Sequence, residues 1–143
     1  MFASTFSQRG SGRSLHSGLY QQVGIETRLS AASPHQLVAM LFDGFMEALA
    51  QARGAMRSGD TAAKGQAVGR AVRIVEEGLR AGLNLKEGGA LARDLNDLYG
   101  YLCLRLTIAN LRNSEEALDE CQRLMQPLRD AWAAIEDQFD SGR

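Results

Sequence analysis

Residues 33–49, which read SPHQLVAMLFDGFMEAL, have the pattern of a helix with more apolar surface than one core requires. Ser33 is a favoured N-cap residue and Pro34 suits the first helical position, so the sequence predicts a sharp helix start. On a helical wheel the apolar side chains cover roughly 240°, whereas packing against one core needs an arc of about 100° or slightly more. The additional apolar surface must be covered by something.

Composition and charge exclude several classes of function. The chain has 143 residues, of which 45% are hydrophobic and 23% charged, as is ordinary for one soluble globular domain. Its 16 lysines and arginines nearly balance 17 aspartates and glutamates, and a net charge of -1 argues against nucleic-acid binding. No apolar run approaches the roughly 20 residues of a membrane span, and residues 1–10 lack the apolar block of a secretory signal. These features predict a cytosolic protein with no nucleic-acid partner.

The hydrophobic periodicity predicts an all-α protein in which a mobile N-terminal arm precedes four helices. Residues 1–32, whose first half is rich in serine and glycine, are expected to form the flexible arm, and residues 33–139 the helical bundle domain. Because strand signals are absent and the connections are short, an antiparallel four-helix bundle is the expected architecture. The helices are predicted over about 34–57, from Asp60 or Thr61 as N-cap to about 84, over about 90–111, and from Ser114 as N-cap to about 139.

The third and fourth helices differ in how their apolar residues are distributed. In the fourth, seven apolar residues between Leu118 and Phe139 fall within roughly 100°, as expected for a helix that packs on one core. Pro127 interrupts this helix and predicts a kink or a lost backbone hydrogen bond. The third helix carries a core stripe of Leu91, Leu95, Leu98, Leu102 and Leu106, and a second apolar stripe across the wheel.

The excess apolar surface on helices one and three has three explanations that periodicity alone does not separate. Both helices are central and buried on two sides, or the extra stripes form a homodimer interface. In the third explanation they form a groove that binds a helix or a disordered tail of another protein.

The sequence shows no constellation typical of an enzyme. Cys103 and Cys121 lie within helical apolar patterns without metal-type spacing, and we interpret them as inert buried thiols. Neither His16 nor His35 belongs to the Glu-x-x-His pairs that a carboxylate-bridged metal bundle requires. The residues therefore predict no catalytic site, no cofactor, no metal and no small-molecule substrate.

Four separated motifs carry a resemblance to a known family. They are YQQVGIET at residues 20–27, ASPHQLVAMLFDG at 32–44, GDTAAKGQAV at 59–68 and DLYGYLCLRLTIANLRN at 97–113. With these motifs in this order, the chain resembles the flagellin-specific export chaperones (FliS) over about residues 20–132. The resemblance implies a cytoplasmic bacterial bundle that binds the disordered C-terminal region of flagellin without turnover. Such a chaperone prevents premature flagellin polymerisation and assists delivery to the flagellar type III export apparatus.

The resemblance also implies partners and a binding surface. The partners are the flagellin C-terminal tail and a component of the flagellar export gate, and the chaperone is expected to be a monomer or a weak homodimer. The alternative is a dimerising structural helical bundle that uses the surplus apolar faces of helices one and three. The residues expected to bind flagellin are Leu19, Tyr20, Val23 and Ile25 in the arm, Phe42, Phe45, Met46 and Leu49 on helix one, and Tyr101, Leu104, Ile108 and Leu111 on helix three.

The arm and two departures from the family pattern add further expectations. Tyr20 matches the tyrosine of the family's N-terminal segment, so about residues 19–25 are expected to form a lid over the hydrophobic groove of the free protein. A permanent attachment of the arm to the bundle through Tyr20 is the alternative. Gly100 stands where family members often carry a polar or acidic residue, and Pro127 lies where an uninterrupted fourth helix is expected. Six glycines inside predicted helices indicate a modestly stable, plastic bundle.

Overall fold

The computed structural model describes the backbone of residues 32–141 and the side chains as far as Ile135. The helices are α1 (Pro34–Ser58), α2 (Thr61–Arg73), which continues as a π-helix (Ile74–Arg80), α3 (Gly89–Arg112) and α4 (Glu115–Ser141). Residues 32–141 contain no strand, so the prediction of an all-α helical bundle is confirmed. The predicted arm lies almost wholly outside the described residues. The chain divides into a unit of residues 1–37, described only from 32 on, and a unit of residues 38–143.

Three helices begin at the capping residues that the sequence predicts. The Ser33 Oγ accepts a hydrogen bond from the Gln36 backbone N–H at 3.1 Å, and the Gln36 side chain accepts one from the Ser33 N–H at 2.9 Å. This reciprocal pair is a capping box, which satisfies two backbone donors at the start of α1. The side chains of Asp60 and Ser114 likewise accept from the backbone N–H three residues further on, at 3.0 and 3.1 Å.

Ion pairs show that α1 and α4 are antiparallel neighbours. Asp43, in the first half of α1, pairs with Arg129 of α4 at 2.7 Å. Arg57, in the last turn of α1, pairs with Glu115 in the first turn of α4 at 2.8 Å. Because residue numbers rise along one helix as they fall along the other, the two helices run in opposite directions.

The α2 and α3 helices are antiparallel neighbours by the same criterion. Lys64, near the start of α2, donates to the Asn110 carbonyl near the end of α3 at 2.9 Å. Arg80, the last residue of the π-helix, donates to the Asn96 side chain near the start of α3 at 2.8 Å. With α3 also packed against α4, the helices form an up-and-down bundle in chain order.

The core is built from apolar residues of every helix. The largest side chains that are fully buried are Phe45 and Leu49 of α1, Val75 of the π-helix, Leu102 and Leu106 of α3, and Leu118, Cys121 and Met125 of α4. Within the described part of the chain, no helix is both long and apolar enough to cross a membrane.

Glycines let α1 and the π-helix approach closely. A Cβ atom on Gly78 would lie 2.9 Å from Leu41 Cδ2, and one on Gly44 would lie 3.2 Å from Ile74 Cδ1. Each helix therefore offers a glycine where the other places an aliphatic side chain. These two interior glycines serve packing, which offsets the helix propensity that they cost.

The second helix differs from the prediction in its last turns. The second helix was expected to continue to near Asn84, but it widens into a π-helix that ends at Arg80, where the Ala81 N–H donates to the Glu76 carbonyl at 3.2 Å. The wider turn admits an extra residue, which is a feature that a 3.6-residue period does not predict. In α4, the chain remains helical through Pro127, which has no N–H, so one backbone hydrogen bond is lost there as predicted, at an exposed position.

Leu91 does not belong to the core, contrary to the prediction. It is 69% exposed in the first turn of α3. The π-helix ends at Arg80, which already contacts Asn96, so the residues that precede Asn96 in α3 extend beyond the end of that neighbour. Leu91 lies on the core side of the helical wheel, but at its level the π-helix has already ended.

Candidate functional site

Four residues of α3 form an apolar strip on the bundle surface, which we call the α3 stripe. Tyr101, Leu104 and Leu111 are 39%, 56% and 77% exposed, and Ile108 is half-buried. Their spacing of three, four and three residues places them on one helical face. Leu102 and Leu106, on the opposite face of the same helix, are fully buried. The second stripe predicted from the sequence therefore exists, and it lies open to solvent.

On the side that faces α4, a polar network borders the α3 stripe. The Tyr101 hydroxyl donates to Glu120 Oε2, and Arg105 Nε donates to Glu120 Oε1 at 2.6 Å. The hydrogen bond from Tyr101, reinforced by the one from Arg105, lowers the pKa of Glu120 below the ordinary value of 4.5. The same bond raises the pKa of Tyr101 above 10.0. The carboxylate thus holds the Tyr101 ring at the edge of the stripe.

On the side that faces the π-helix, Arg80 occupies the space beside Gly100. A Cβ atom on Gly100 would lie 3.3 Å from Arg80 Nη2. Arg80 also donates to Asn96 Oδ1 and to Glu76 Oε1, each at 2.8 Å, and the bond from Arg80 lowers the pKa of Glu76. The missing side chain at Gly100 is therefore replaced by a guanidinium that is itself fixed by two partners.

A buried lysine secures the end of α3 next to Leu111. Asn113 adopts the left-handed conformation (φ 51°, ψ 47°) that terminates the helix. Lys64 Nζ donates to the Asn110 carbonyl at 2.9 Å and to Asn113 Oδ1 at 2.6 Å. Lys64 was not among the residues predicted from the sequence. Its signal was a lysine four residues before Val68, on the apolar face of the second helix.

The candidate residues of α1 lie elsewhere than those of α3. Phe42, Phe45 and Leu49 are buried in the core, and Met46 is half-buried against it. The Phe42 ring lies 6.4 Å, between centroids, from the Trp132 ring of α4. The structure thus brings the four residues of α3 together on the surface and places those of α1 inside. The four arm candidates, Leu19, Tyr20, Val23 and Ile25, fall outside the described residues.

The described surface can bind a partner by burying apolar groups. Burial raises the pKa of the Cys103 and Cys121 thiols to about 12, so neither forms a thiolate near neutral pH. Among the described residues, no group of three or more histidine, cysteine or acidic side chains is placed to hold a metal ion. What the α3 stripe offers is an apolar strip with fixed polar borders, which is suited to the apolar face of another helix.

Comparison with known proteins gives one consistent result. Residues 16–139 match the family described as "Flagellar protein FliS". The chain is 45% identical over 116 residues to the flagellar secretion chaperone FliS of Salmonella typhimurium, a match that covers 81% of this chain and 86% of the relative. It is 43% identical over 116 residues to FliSB of Pseudomonas aeruginosa, covering 81% and 91%. It is 41% identical over 113 residues to FliS of Escherichia coli, covering 79% and 83%.

Proposed function

Because the chain belongs to the FliS family, and is therefore a flagellar export chaperone and not an enzyme, we propose that its substrate is the disordered C-terminal region of flagellin. It holds this tail in the bacterial cytoplasm, prevents premature polymerisation and assists delivery to the flagellar type III export apparatus, where a component of the export gate is its second partner. The family assignment supports an export role, and the α3 stripe supports the mode of binding.

The exposed α3 stripe is the observation that carries this proposal. Leu104, Ile108 and Leu111 present an apolar edge that the bundle itself does not cover, although burying it would be favourable. A disordered segment that folds into an amphipathic helix places its own apolar residues at matching spacing. Burial of about 1,000 Å² or more offsets the ordering cost of such a segment and leaves useful affinity.

The other sequence-predicted residues enter the proposal in different roles. The residues of α1 do not enter the proposed contact surface, because Phe42, Phe45 and Leu49 are buried in the core and Met46 is half-buried against it. Leu19, Tyr20, Val23 and Ile25 contact the tail or compete with it, because an arm that covers the stripe in the free protein would be displaced by flagellin. This lid remains a proposal of ours, as does permanent attachment through Tyr20 as its alternative.

Calorimetric titration with a peptide covering the C-terminal region of flagellin from the same organism tests the proposal. We expect one-to-one binding with a negative heat-capacity change and a gain of helix by the peptide. The double substitution Leu104→Ser, Leu111→Ser is expected to weaken binding about tenfold or more, since each change removes an apolar contact of the interface centre. Leu85→Ser is the matched control, because Leu85 is also exposed but lies outside the α3 stripe.

Two outcomes would contradict the proposal. Unchanged affinity of the folded double variant would remove the α3 stripe from the binding site. Self-association of the wild-type protein that the double variant abolishes, together with no binding of the flagellin peptide, would instead favour the dimerising structural bundle. Circular dichroism of both variants checks that each remains folded.

A further inference from the structure

We propose that the groove between α1 and α2 is a second binding surface, which accepts an acidic, extended peptide segment of a partner protein. This inference is independent of the flagellin site. The groove is open to solvent and has a volume of about 550 Å³. Its lining residues are Gln51, Ala63, Gln66, Ala67, Arg70 and Arg73.

The two arginines of the groove have charge that their neighbours do not neutralise. Within the described residues Arg70 pairs only with Glu47, at 3.6 Å, and the two side chains are 40% and 63% exposed, so the pair is weak and screened by salt. Arg73 is exposed, and no hydrogen bond or ion pair engages it within the described residues. By contrast, the arginines at the other helix interfaces pair with carboxylates at 2.6 to 2.8 Å.

Two glycines leave room for these guanidinium groups beside the helix backbones. A Cβ atom on Gly69 would lie 3.6 Å from Arg73 Nη1, and one on Gly44 would lie 3.5 Å from Arg70 Nη2. The guanidinium groups therefore lie close to the backbone at the groove, one turn apart on α2. Two carboxylates on a partner segment would engage them through charge-assisted, bidentate hydrogen bonds.

The remaining lining residues suit a peptide backbone. Gln51 and Gln66 supply amide groups that both donate and accept hydrogen bonds, as the N–H and C=O groups of an extended segment require. Ala63 and Ala67 form small apolar contacts beside them. A groove with hydrogen-bonding amides, two cations and little side-chain bulk fits a peptide with acidic side chains more closely than it fits an apolar helix.

Charge distribution disfavours the other polyanions. A nucleic acid is held by neutralising several phosphates, and binding to an anionic membrane needs a cluster of basic residues on an outward face. This groove offers two arginines in a concavity, on a chain of net charge -1. Since the groove residues belong to α1 and α2 and the α3 stripe to another helix, the two surfaces share no residue and allow two partners at once.

Nuclear magnetic resonance of the full ¹⁵N-labelled chain tests the proposal with a defined probe, acetyl-AEEAEEAA-amide. We expect saturable shifts of the side-chain signals of Gln51, Gln66, Arg70 and Arg73, and none with the uncharged peptide acetyl-AQQAQQAA-amide. The double substitution Arg70→Gln, Arg73→Gln is expected to weaken binding about tenfold or more, because both charge-assisted contacts are lost. Arg93→Gln is the matched control, since Arg93 is an exposed arginine outside the groove.

Several results would overturn the inference. They are an absence of shifts in the groove, equal binding by the double variant, or stronger binding of anionic vesicles or oligodeoxythymidine to the same residues. Displacement of the probe by the flagellin peptide would refute a separate site. Wild-type probe affinity in the Leu104→Ser, Leu111→Ser variant is expected, so this test succeeds or fails independently of the flagellin site.

Discussion

Helices α1 and α3 carry the same kind of apolar surplus, but the bundle covers only one of them. The surplus of α1 is taken up on two sides, since Leu41 packs against Gly78 of the π-helix and Phe42 meets Trp132 of α4. No element among residues 32–141 gives the outer face of α3 such cover, and Leu104 and Leu111 remain exposed. A wide apolar arc therefore predicts that a helix needs more cover than one core provides, without predicting what provides it.

The neighbours of each helix explain the difference. Beside α1, adjoining helices offer glycines and apolar side chains that let the helices approach closely. Beside the outer face of α3, the adjoining elements offer Arg80 and Glu120, each already held by polar partners. Because these polar borders do not close over the α3 stripe, this face of α3 is available to another molecule. The apolar residues of α1, by contrast, are already packed inside the bundle.

The largest expected effect is a difference in protein stability between a substitution in α1 and one in α3. Phe45→Ala in α1 should lower the free energy of unfolding by about 3–5 kcal/mol, because it leaves a cavity at a fully buried site. Leu111→Ala in α3 should change it by no more than about 0.5 kcal/mol, since that side chain packs on little. Urea denaturation with unchanged m-values measures both. A loss above about 1 kcal/mol for Leu111→Ala would show that something covers the stripe in the free protein.

Local sequence signals predicted most of the fold. Ser33, Asp60 and Ser114 mark helix starts through their own side chains, and the period of the apolar residues indicates the helical faces. The π-helix was not predictable, because the extra residue that its wider turn admits is not part of a 3.6-residue hydrophobic period. Leu91 was misplaced because the helical period identifies the core side of α3 but not how far along the helix that side is covered.

The candidate site was predictable in its α3 half only. The stripe from Tyr101 to Leu111 follows directly from the helical period, and its exposure agrees with a binding role. On α1, the wheel identifies Phe42, Phe45 and Leu49 as apolar but contains no information on which direction faces the core. The role of Lys64 could not be predicted from the sequence, because a lysine on an apolar face can be interpreted only once its hydrogen-bond acceptors on α3 are known.

The next largest effect concerns Lys64, which anchors the end of α3 by hydrogen bonds. The last turn of α3 carries exposed Leu111, and Lys64 holds this end by hydrogen bonds to Asn110 and Asn113. Lys64→Met should lower the free energy of unfolding by about 1–3 kcal/mol, because the partly buried acceptors on Asn110 and Asn113 lose their donor. Chemical denaturation measures the loss, and hydrogen exchange should show reduced protection mainly in the last turns of α3.

Lys86→Met is the matched control for the anchor. Lys86 is exposed in the connection between the π-helix and α3, so its substitution should change stability by no more than about 0.5 kcal/mol. Equal effects of the two substitutions would mean that Lys64 contributes no anchor. Loss of protection spread evenly over α1 and α3 would mean that the anchor serves the whole bundle, and the contrast between the helices would weaken.

The smallest effect is the pH dependence of stability that comes from the polar network beside the α3 stripe, on the side that faces α4. The pKa of Glu120 is lower in the folded protein than its ordinary value of 4.5, because Tyr101 and Arg105 donate to the charged form. Its contribution to stability is therefore present above pH 4.5 and is lost as the pH falls through the lower, folded-state pKa. The pKa of Tyr101 is raised above 10.0, so the contribution of the tyrosine is present below pH 10 and is lost as the pH rises through the folded-state value.

Carboxyl ¹³C resonances of Glu120, followed in the wild type and in Tyr101→Phe, measure the strength of this border. Since the bond from Tyr101 is the largest cause of the lowered pKa, Tyr101→Phe should move the Glu120 pKa back towards 4.5, while the bond from Arg105 keeps it from returning fully. Glu77→Gln, at an exposed acid without an ion pair in the described part of the chain, should leave the Glu120 pKa unchanged. If Tyr101→Phe also left it unchanged, Tyr101 would be free to turn over the stripe, and the fixed border that separates α3 from α1 would not exist on the α4 side.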